Sequence, residues 1–460
     1  MSSPTTANFP AQAMTTARQA LARAIGMTAF VYGYPLVESY RTCRLQTQGE
    51  AAPGGANSRA PINRLGHIRR AATHHDRDIV TPANDLLYTT AWIHLADGPQ
   101  RLTVPAAAEH PGRYFVLALY DAQTENFENL GPRNCDAAGE TVLLVGPGQG
   151  APEGHGLRVV HCPTHLVWLV GRILVGDEAD LPAARALQAA IGLEALTAGA
   201  PARRPVAVEH WLGEPLDTMA AVLERQRSAA EVAPAFFTNL CQALAELPAR
   251  AEDQGLLAWL GQAGLVPQMP FDWGSLDAAL RTGLAEGLAD AVQLLAAVPR
   301  SRTAEPWRIA ACAGRYGNDY LARALTAYMG FGALAKDEAV YAAGHFSADG
   351  QALDGSRRYT LRFAADQMPP AEAFWSVTLY DADRCLYASP NGRHAIGDRT
   401  SGLRREADGA VVIDFSHEPP ADARNWLPTP AGRFYLVLRL YHPRDQARGW
   451  QVPALQPVPA

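Results

Sequence analysis

The sequence predicts a mainly β protein built from two β-sandwich halves with a helical segment between them. Short apolar runs separated by turn residues occupy residues 79–177 and return from residue 356, a spacing typical of sandwiches and barrels. Residues 180–335 are rich in alanine and leucine at helical spacing. The length of 460 residues also predicts more than one core, since single cores stop growing near about 250 to 300 residues.

Residues 1–60 predict an N-terminal helix followed by a loop. Leu21, Ile25 and Met27 lie among alanines, which indicates a helix over about residues 11–32, and Pro35 follows soon after it. Glycines, prolines and an asparagine then fill residues 46–62, a composition typical of loops.

Residues 61–177 predict the first sandwich domain. Its expected strands are the apolar runs at residues 86–95, 101–104, 114–120, 141–145, 157–160 and 166–175. We expect no crossover helices between these strands.

Residues 178–340 predict the helical region. The clearest stripe has an apolar residue at every fourth position, namely Leu276, Leu280, Leu284, Leu288 and Val292, the pattern of a buried helix face. We expect Ser275 to cap this helix and Pro299 to end it. Gly283 and Gly287 should let a neighbouring backbone approach closely.

Residues 341–460 predict the second sandwich domain, and they echo the first. Residues 111–121 (PGRYFVLALYD) resemble residues 431–441 (AGRFYLVLRLY), and residues 374–381 (FWSVTLYD) repeat the ending of that motif. Duplication of one sandwich explains the echo. The alternative is that buried strands converge on the same composition.

Several longer motifs carry a family resemblance. They are residues 31–35 (VYGYP), 81–88 (TPANDLLY), 112–114 (GRY), 120–121 (YD), 316–320 (YGNDY), 374–381 (FWSVTLYD) and 425–430 (NWLPTP). With them most of the chain resembles a bacterial two-domain family, in which domain of unknown function 1254 forms the N-terminal half and domain of unknown function 1214 the C-terminal half. The resemblance implies two jelly-roll-like β-sandwich domains with added α-helices.

The resemblance implies no activity, because the family carries no settled one and a fold alone does not define a function. Two positions also depart from the family. His94 stands where relatives usually carry an aspartate, and His394 stands where an aromatic residue is common. If these positions line a pocket, its chemistry is particular to this protein.

The composition excludes several classes of partner. A net charge of −6 gives no positive field for a phosphate backbone, so we expect no nucleic acid. The first 26 residues lack the basic start and continuous apolar stretch of a signal peptide, and we found no uncharged apolar run of about 18 residues. We therefore expect a cytoplasmic protein without a membrane partner.

Lys336 is the only lysine in the sequence, and this excludes several cofactors. A Walker A loop needs its lysine after a glycine, whereas Lys336 follows an alanine. A pyridoxal phosphate enzyme would also have to use Lys336, which two acidic residues follow, as on a solvated helix. The glycine-rich residues 146–150 are broken by a proline and do not fit a dinucleotide turn. We therefore expect no cofactor.

We also expect no metal site. The six cysteines include no CxxC pair. His161 and His165 would lie roughly 13 Å apart in a regular strand, too far to share one ion. His74 and His75 are interleaved with arginines, a mixture typical of a solvated loop.

The segment from Asn84 to His94 concentrates chemical groups. Alternation along a strand would place Asn84, Tyr88, Trp92 and His94 on one face and Asp85 on the other, unless the strand begins after Asp85. A carboxylate near an apolar pocket can be a general acid or base, so we expect Asp85 in that role and Tyr88 as an electrophilic donor. The alternative is that Asp85 accepts backbone amides at a turn.

The expected substrate-binding residues come from both halves. Asn84, Trp92 and His94 belong to the first half, and Trp375, Arg393 and His394 to the second. Arg393 follows an Asn-Gly pair that predicts a hairpin, and its guanidinium suits an anionic substrate group.

Function remains as two hypotheses. The first is a cofactor-independent acid–base enzyme, a hydrolase, lyase or isomerase, that acts on a small, partly apolar organic molecule. The second is a non-catalytic ligand-binding or assembly protein built on jelly-roll domains. A closed polar cluster would favour the first, and a flat apolar exterior patch the second. The expected partner is a small-molecule ligand, and a homo-oligomer is left open.

Overall fold

A computed structural model describes residues 11–47, 59–77, 80–196, 205, 227–248, 250–300, 305–310 and 312–459. The chain divides into two compact units. Met1–Arg44 and Val206–Pro299 form a helical unit, and Leu45–Pro205 and Arg300–Ala460 form a β unit. The N-terminal helix and the middle helices therefore belong to one unit.

The helical unit contains α1 (Ala11–Thr47), α3 (Ala229–Ala245), α4 (Gln254–Gly261) and α5 (Ala278–Arg300). Helix α1 does not end before Pro35, as the sequence predicts, but continues through it to Thr47. Proline removes one intrahelical hydrogen bond. The following Leu36, Val37 and Tyr40 are buried, and their burial outweighs that loss.

Helix α1 is long and apolar enough to cross a membrane by length and composition, although 61% of its most apolar window is buried inside the protein. Core helices of soluble proteins and signal sequences share these properties. The observation is therefore weak evidence for a membrane span.

Helix α5 begins at a different cap from the predicted Ser275. Asp277 Oδ1 accepts the Leu280 N–H at 2.9 Å, while Ser275 lies in the preceding turn and donates to Asp272 O. The expected close approach is confirmed, since a Cβ at Gly283 would lie 2.3 Å from Gln19 O and one at Gly287 would lie 2.2 Å from Arg23 O. Helices α1 and α5 therefore cross with their backbones in contact.

The first sandwich pairs a five-stranded sheet with a four-stranded one. The five-stranded order is β1 (Gly66–His67), β2 (Leu86–His94), β8 (Leu166–Leu174), β4 (Phe115–Asp121) and β5 (Asn126–Leu130). The four-stranded order is β7 (Arg158–His161), β6 (Glu140–Val145), β3 (Gln100–Val104) and β9 (Gly192–Ala195). Side chains from both sheets, such as Leu117 and Leu144, form one buried core. Helix α2 (Leu181–Ala189) connects β8 to β9, so β9 joins the sandwich from within the range predicted to be helical.

The second sandwich repeats this arrangement. Its five-stranded order is β10 (Trp307–Ile309), β11 (Ala339–Gly344), β17 (Phe434–Pro443), β13 (Ala371–Asp381) and β14 (Ala395–Gly397). Its four-stranded order is β16 (Trp426–Pro428), β15 (Val411–Ser416), β12 (Arg358–Phe363) and β18 (Gln456–Val458). Helix α6 (Tyr320–Met329) precedes β11.

The two sandwiches have the same pairing pattern, which favours duplication of one sandwich over convergence of strand composition. In each, one pair of the smaller sheet is parallel, β6 with β7 and β15 with β16, and the other described strand pairs are antiparallel. Strand β4 corresponds to β13, so the FWSVTLYD repeat joins equivalent strands. The resemblance of residues 111–121 to residues 431–441 joins strands that are not equivalent, because β17 corresponds to β8 and not to β4.

The outer faces of the two five-stranded sheets meet across a layer of tyrosines and two buried arginines. Arg172 of β8 donates to Gly332 O at 2.6 Å, just before the first long strand of the second sandwich. Arg439 of β17 donates to Thr81 O at 2.8 Å, just before the first long strand of the first. Each sandwich therefore donates a hydrogen bond to the segment that leads into the first long strand of the other sandwich.

Candidate functional site

A pocket of about 420 Å³ lies where the two sandwiches meet. We call it the Asp85 pocket. Its wall is formed by Ala71, Asn84, Asp85, residues 175–178 and Leu181 from the first sandwich and by residues 374–376, Arg393, Ala395, Gly397 and residues 399–401 from the second. Both halves of the duplicated chain therefore build this cavity.

Asp85 is the most unusual group in the wall. Strand β2 begins at Leu86, so Asp85 lies just before the strand. The alternation of side chains between the two faces of β2 therefore does not apply to Asp85. Both carboxyl oxygens are shielded from solvent, and no residue in the described part of the chain donates a hydrogen bond of regular geometry to them. The turn alternative, in which Asp85 accepts backbone amides, therefore has no hydrogen bond of regular geometry to support it.

The surroundings of Asp85 shift its acidity upward. Burial raises the pKa of Asp85, and the nearby Ser376 hydroxyl and Arg439 guanidinium only partly offset this. The Ser376 hydroxyl is itself buried without a hydrogen-bond partner among the described residues. A buried polar group without a partner is costly, so two such groups side by side in a pocket wall indicate a site for a ligand.

A second carboxyl group lies close to Asp85. Burial raises the pKa of Asp398, and the charge of Asp85 adds to this effect. Asp398 Oδ1 accepts the Trp375 N–H at 3.0 Å, which fixes its position beside the pocket wall. Two neighbouring carboxyls with raised pKa values are an arrangement suited to proton transfer.

Two arginines line the pocket from the second sandwich. Arg393 Nη1 donates to Arg424 O at 2.8 Å and to Trp426 O at 3.2 Å. Arg399 Nη2 donates to Ala373 O at 2.9 Å. These carbonyl bonds hold both guanidiniums in place at the wall.

Four predicted site residues line this pocket, but not all through their side chains. Asn84 lies beside Asp85, and its Nδ2 donates to Ala72 O at 2.7 Å. Arg393 lies on the opposite wall. Trp375 contributes mainly backbone, because its indole packs in the core of the second sandwich at 5.1 Å from the Phe363 ring.

The other four predicted residues do not line it. Tyr88 Oη accepts the Ala83 N–H at 3.0 Å. Trp92 stacks on Trp168 at 5.3 Å and donates to Gln46 Oε1 at 2.7 Å. His94 is buried at the far end of β2, and its backbone N–H donates to Asn63 Oδ1. His394 is buried, with its ring 6.2 Å from that of His74.

Sequence reasoning missed Ser376, Arg399 and Asp398. Ser376 lies inside the repeated FWSVTLYD motif, so the repeat could have directed attention to it. Arg399 and Asp398 lie in a turn with no distinctive pattern, and their approach to Asp85 depends on the pairing of β14 with β13 and on the contact between the sandwiches.

The described residues include no cluster of three or more histidine, cysteine, aspartate or glutamate side chains placed to hold a metal ion. The rings of His74 and His75 contact each other in a tilted arrangement, with their centroids 3.9 Å apart, while Asp76 pairs with Arg70.

Comparisons with known proteins identify the two halves. The family model described as protein of unknown function (DUF1254) matches residues 62–195, and the one described as protein of unknown function (DUF1214) matches residues 338–445. A search of curated proteins gives no match.

Two solved structures resemble the whole chain. The crystal structure of the VPA0106 protein from Vibrio parahaemolyticus is 22% identical, with a TM-score of 0.65 over 95% of this chain and 100% of that one. An uncharacterized protein from Burkholderia cenocepacia is 14% identical, with a TM-score of 0.45 over 97% of both chains. The first likeness shows that the two proteins share a fold.

Proposed function

The chain belongs to the two-domain family of unknown function that joins DUF1254 to DUF1214, and we propose that this member is a cofactor-independent acid–base enzyme. Its reaction, a hydrolysis, elimination or isomerisation, takes place in the Asp85 pocket. Its substrate is a small, partly apolar organic molecule, and its setting is the cytoplasm.

The observation that carries the proposal is the unpartnered carboxyl group of Asp85. Structural carboxylates in protein interiors are normally hydrogen-bonded or paired, whereas no described residue donates a hydrogen bond of regular geometry to either oxygen of Asp85. A group left in this state at a pocket wall is available to a substrate.

The raised pKa of Asp85 supports the same role. A general acid or base works best when its pKa lies near the operating pH, and burial moves the pKa of Asp85 upward toward that range. Ser376, next to it, offers a hydroxyl that can donate a hydrogen bond to a developing negative charge. We assign this donor role to Ser376 and leave Tyr88 to hold the Ala83 amide.

The pocket composition supports a small, partly apolar substrate. Val175, Leu181 and Phe374 supply apolar surface, while Asn84, Ser376 and the charged side chains supply a few polar contacts. A mainly apolar wall with a few placed polar groups is typical of small-molecule sites.

The proposal is tested by ligand identification followed by turnover. The protein is incubated with a metabolite mixture, washed, and its bound compounds are identified by mass spectrometry. Each retained compound is then incubated with the wild type and with Asp85→Asn. We expect conversion by the wild type and a loss of about a hundredfold to ten-thousandfold in Asp85→Asn, the contribution of one general acid or base.

Tyr88→Phe is the companion variant. It should retain nearly full turnover, because Tyr88 does not line the pocket. Retained compounds that no protein sample converts would favour the non-catalytic binder instead, and equal turnover in wild type and Asp85→Asn would refute the assignment of Asp85.

A further inference from the structure

The duplication places a second acidic residue at the position equivalent to Asp85. Asp85 lies directly before β2 and Glu338 directly before β11, the equivalent strand. Val175 N donates to Asp85 O at 3.0 Å, and His442 N donates to Glu338 O at 3.0 Å. The two carboxyl groups, and likewise Val175 and His442, therefore correspond.

Three neighbouring side chains pair with the carboxylate of Glu338. Its side chain is 2% exposed, and it accepts from Tyr114 Oη at 2.8 Å, pairs with His442 Nε2 at 3.1 Å, and accepts a hydrogen bond from Arg133 Nη2. Burial raises the pKa of Glu338, but these three groups outweigh it and hold the pKa below its ordinary value. We call this arrangement the closed copy.

The first two of these partners have no polar counterpart at Asp85. Phe374 stands in place of Tyr114, since each lies six residues before the next-to-last residue of the equivalent strand, Tyr380 in β13 or Tyr120 in β4. Phenylalanine lacks the hydroxyl, and Val175 lacks the imidazole of His442.

The third partner, Arg133, has an equivalent that faces elsewhere. Arg133 and Arg399 each follow by two residues a glycine, Gly131 or Gly397, whose N–H donates to the side chain three residues further on. In the closed copy Arg133 reaches the carboxylate, while Arg399 donates to Ala373 O. Phe374, Val175 and Arg399 all line the Asp85 pocket, which is therefore the open copy of the same cluster.

We infer that the ligand of the Asp85 pocket carries a cationic nitrogen group with N–H donors, an ammonium, amidinium or guanidinium, that binds Asp85 as Arg133 binds Glu338. This assignment names the substrate class for the proposed function and rests on it for the site. The closed copy shows that the fold accepts a guanidinium against a carboxylate at this position.

The charges of the wall favour a cation over an anion. Asp177 and Glu178 add two carboxylates to that of Asp85. Arg393 and Arg399 supply two positive charges against these three carboxylates, which leaves the wall with an excess of one negative charge. With the cation bound, ionised Asp85 can take a proton from its nitrogen, which leaves a neutral nitrogen and a protonated carboxyl.

The test uses benzamidine, a small aromatic amidinium, with benzamide and benzoate as its neutral and anionic counterparts. Isothermal titration calorimetry measures each against the wild type. We expect binding of benzamidine and an affinity for benzamide and benzoate lower by about tenfold or more, the effect of one lost charge-assisted hydrogen bond. No binding of benzamidine, or equal affinity for benzoate, would overturn the assignment.

Two variants and a control locate the site. Asp85→Asn should weaken benzamidine binding about tenfold or more. The double variant Val175→His with Phe374→Tyr rebuilds the partners of the closed copy, and it should melt at a higher temperature and bind benzamidine less tightly. Glu338→Gln, the matched change in the closed copy, should leave the benzamidine affinity of the folded protein unchanged. Unchanged affinity in Asp85→Asn would refute the inference.

These outcomes separate the inference from the proposed function. If benzamidine does not bind but Asp85→Asn still abolishes turnover of an identified substrate, the cationic class is wrong and the acid–base role stands. If benzamidine binding depends on Asp85 but turnover does not, the site binds cations and the catalytic role of Asp85 is wrong.

Discussion

Arg439 donates a hydrogen bond to the carbonyl oxygen of Thr81, although the two residues lie in different sandwiches. Its Nη1 also donates to the Thr378 hydroxyl at 3.1 Å, and its side chain is buried. A buried guanidinium is tolerated only when such bonds satisfy it. The contact between the two sandwiches therefore includes a buried guanidinium whose hydrogen bonds reach both of them.

We predict that Arg439→Met lowers the free energy of unfolding by about 3 kcal/mol, because it leaves the Thr81 carbonyl and the Thr378 hydroxyl without a buried partner. Urea denaturation followed by tryptophan fluorescence measures the change. The control is Arg358→Met on the exposed side of β12, which should stay within about 0.5 kcal/mol of the wild type. An equal loss in both variants would contradict the role of Arg439.

Glu338 should make the protein sensitive to acid. Its folded pKa lies below the ordinary 4.5, so its stabilising effect is present above about pH 4.5 and is lost as the pH falls through the folded pKa. Glu338→Gln should lower the unfolding free energy at pH 7 by about 3 kcal/mol, because Arg133 and His442 lose their buried partner.

The same variant should show a flatter decline in stability below about pH 4.5, measured by denaturation at a series of pH values. Glu418→Gln, a change at an exposed glutamate, should reproduce the wild-type profile. A Glu338→Gln profile parallel to that of the wild type would exclude Glu338 as the acid-sensitive group.

Asp85→Ala should not destabilise the protein at pH 7. The folded pKa of Asp85 lies above the ordinary 3.8, so protonation favours the folded state and the wild type loses stability as the pH rises through the folded pKa. Removal of the carboxyl abolishes this cost, so the stability of the variant relative to that of the wild type should increase between about pH 4 and pH 7. Thermal melting at several pH values measures the difference.

Asp121→Ala is the matched control for that experiment. Burial raises the pKa of Asp121 to about 6, but its Oδ1 accepts the N–H groups of Gln123 and Glu125 at 2.9 Å each. Its removal should cost about 1 to 3 kcal/mol. A comparable loss in Asp85→Ala would mean that Asp85 is structural.

Gly397 sets the position of the pocket wall. A Cβ there would lie 2.1 Å from Trp375 O, so Gly397→Ala must push β14 away from β13 and should cost about 2 kcal/mol or more. Gly432→Ala, where a Cβ meets nothing within 4 Å, is the control and should be nearly neutral. Similar melting temperatures for the two variants would contradict this packing.

The sequence predicted the long strands well and the short ones poorly. The apolar runs at residues 86–95, 166–175 and 434–441 became β2, β8 and β17, because strands buried on both faces are continuously apolar. Strands β5 (NFENL) and β11 (AVYAAG) were missed. The first is polar, and the second is alanine-rich and begins at the end of the region predicted to be helical.

The candidate site was predicted in part for a similar reason. Asp85 and Asn84 could be selected locally, because polar residues stand out at the start of an apolar strand. Ser376 and Arg399 could not, because their approach to Asp85 depends on strand pairing and on the contact between sandwiches. Tyr88 is near Asp85 in the sequence and carries a suitable donor, but its hydroxyl lies on the Ala83 amide instead.

The reciprocal hold of the two arginines has a consequence for how the chain evolves. Arg172 reaches Gly332 and Arg439 reaches Thr81, which is the mutual pattern of an isologous interface in a symmetric dimer. The β unit thus resembles an obligate homodimer whose protomers have been fused into one chain. After fusion the two halves can change independently. One half can then keep a stabilising ion pair while the equivalent position in the other half loses it. Neither half is then a separable module, and we expect each to be inherited only with the other.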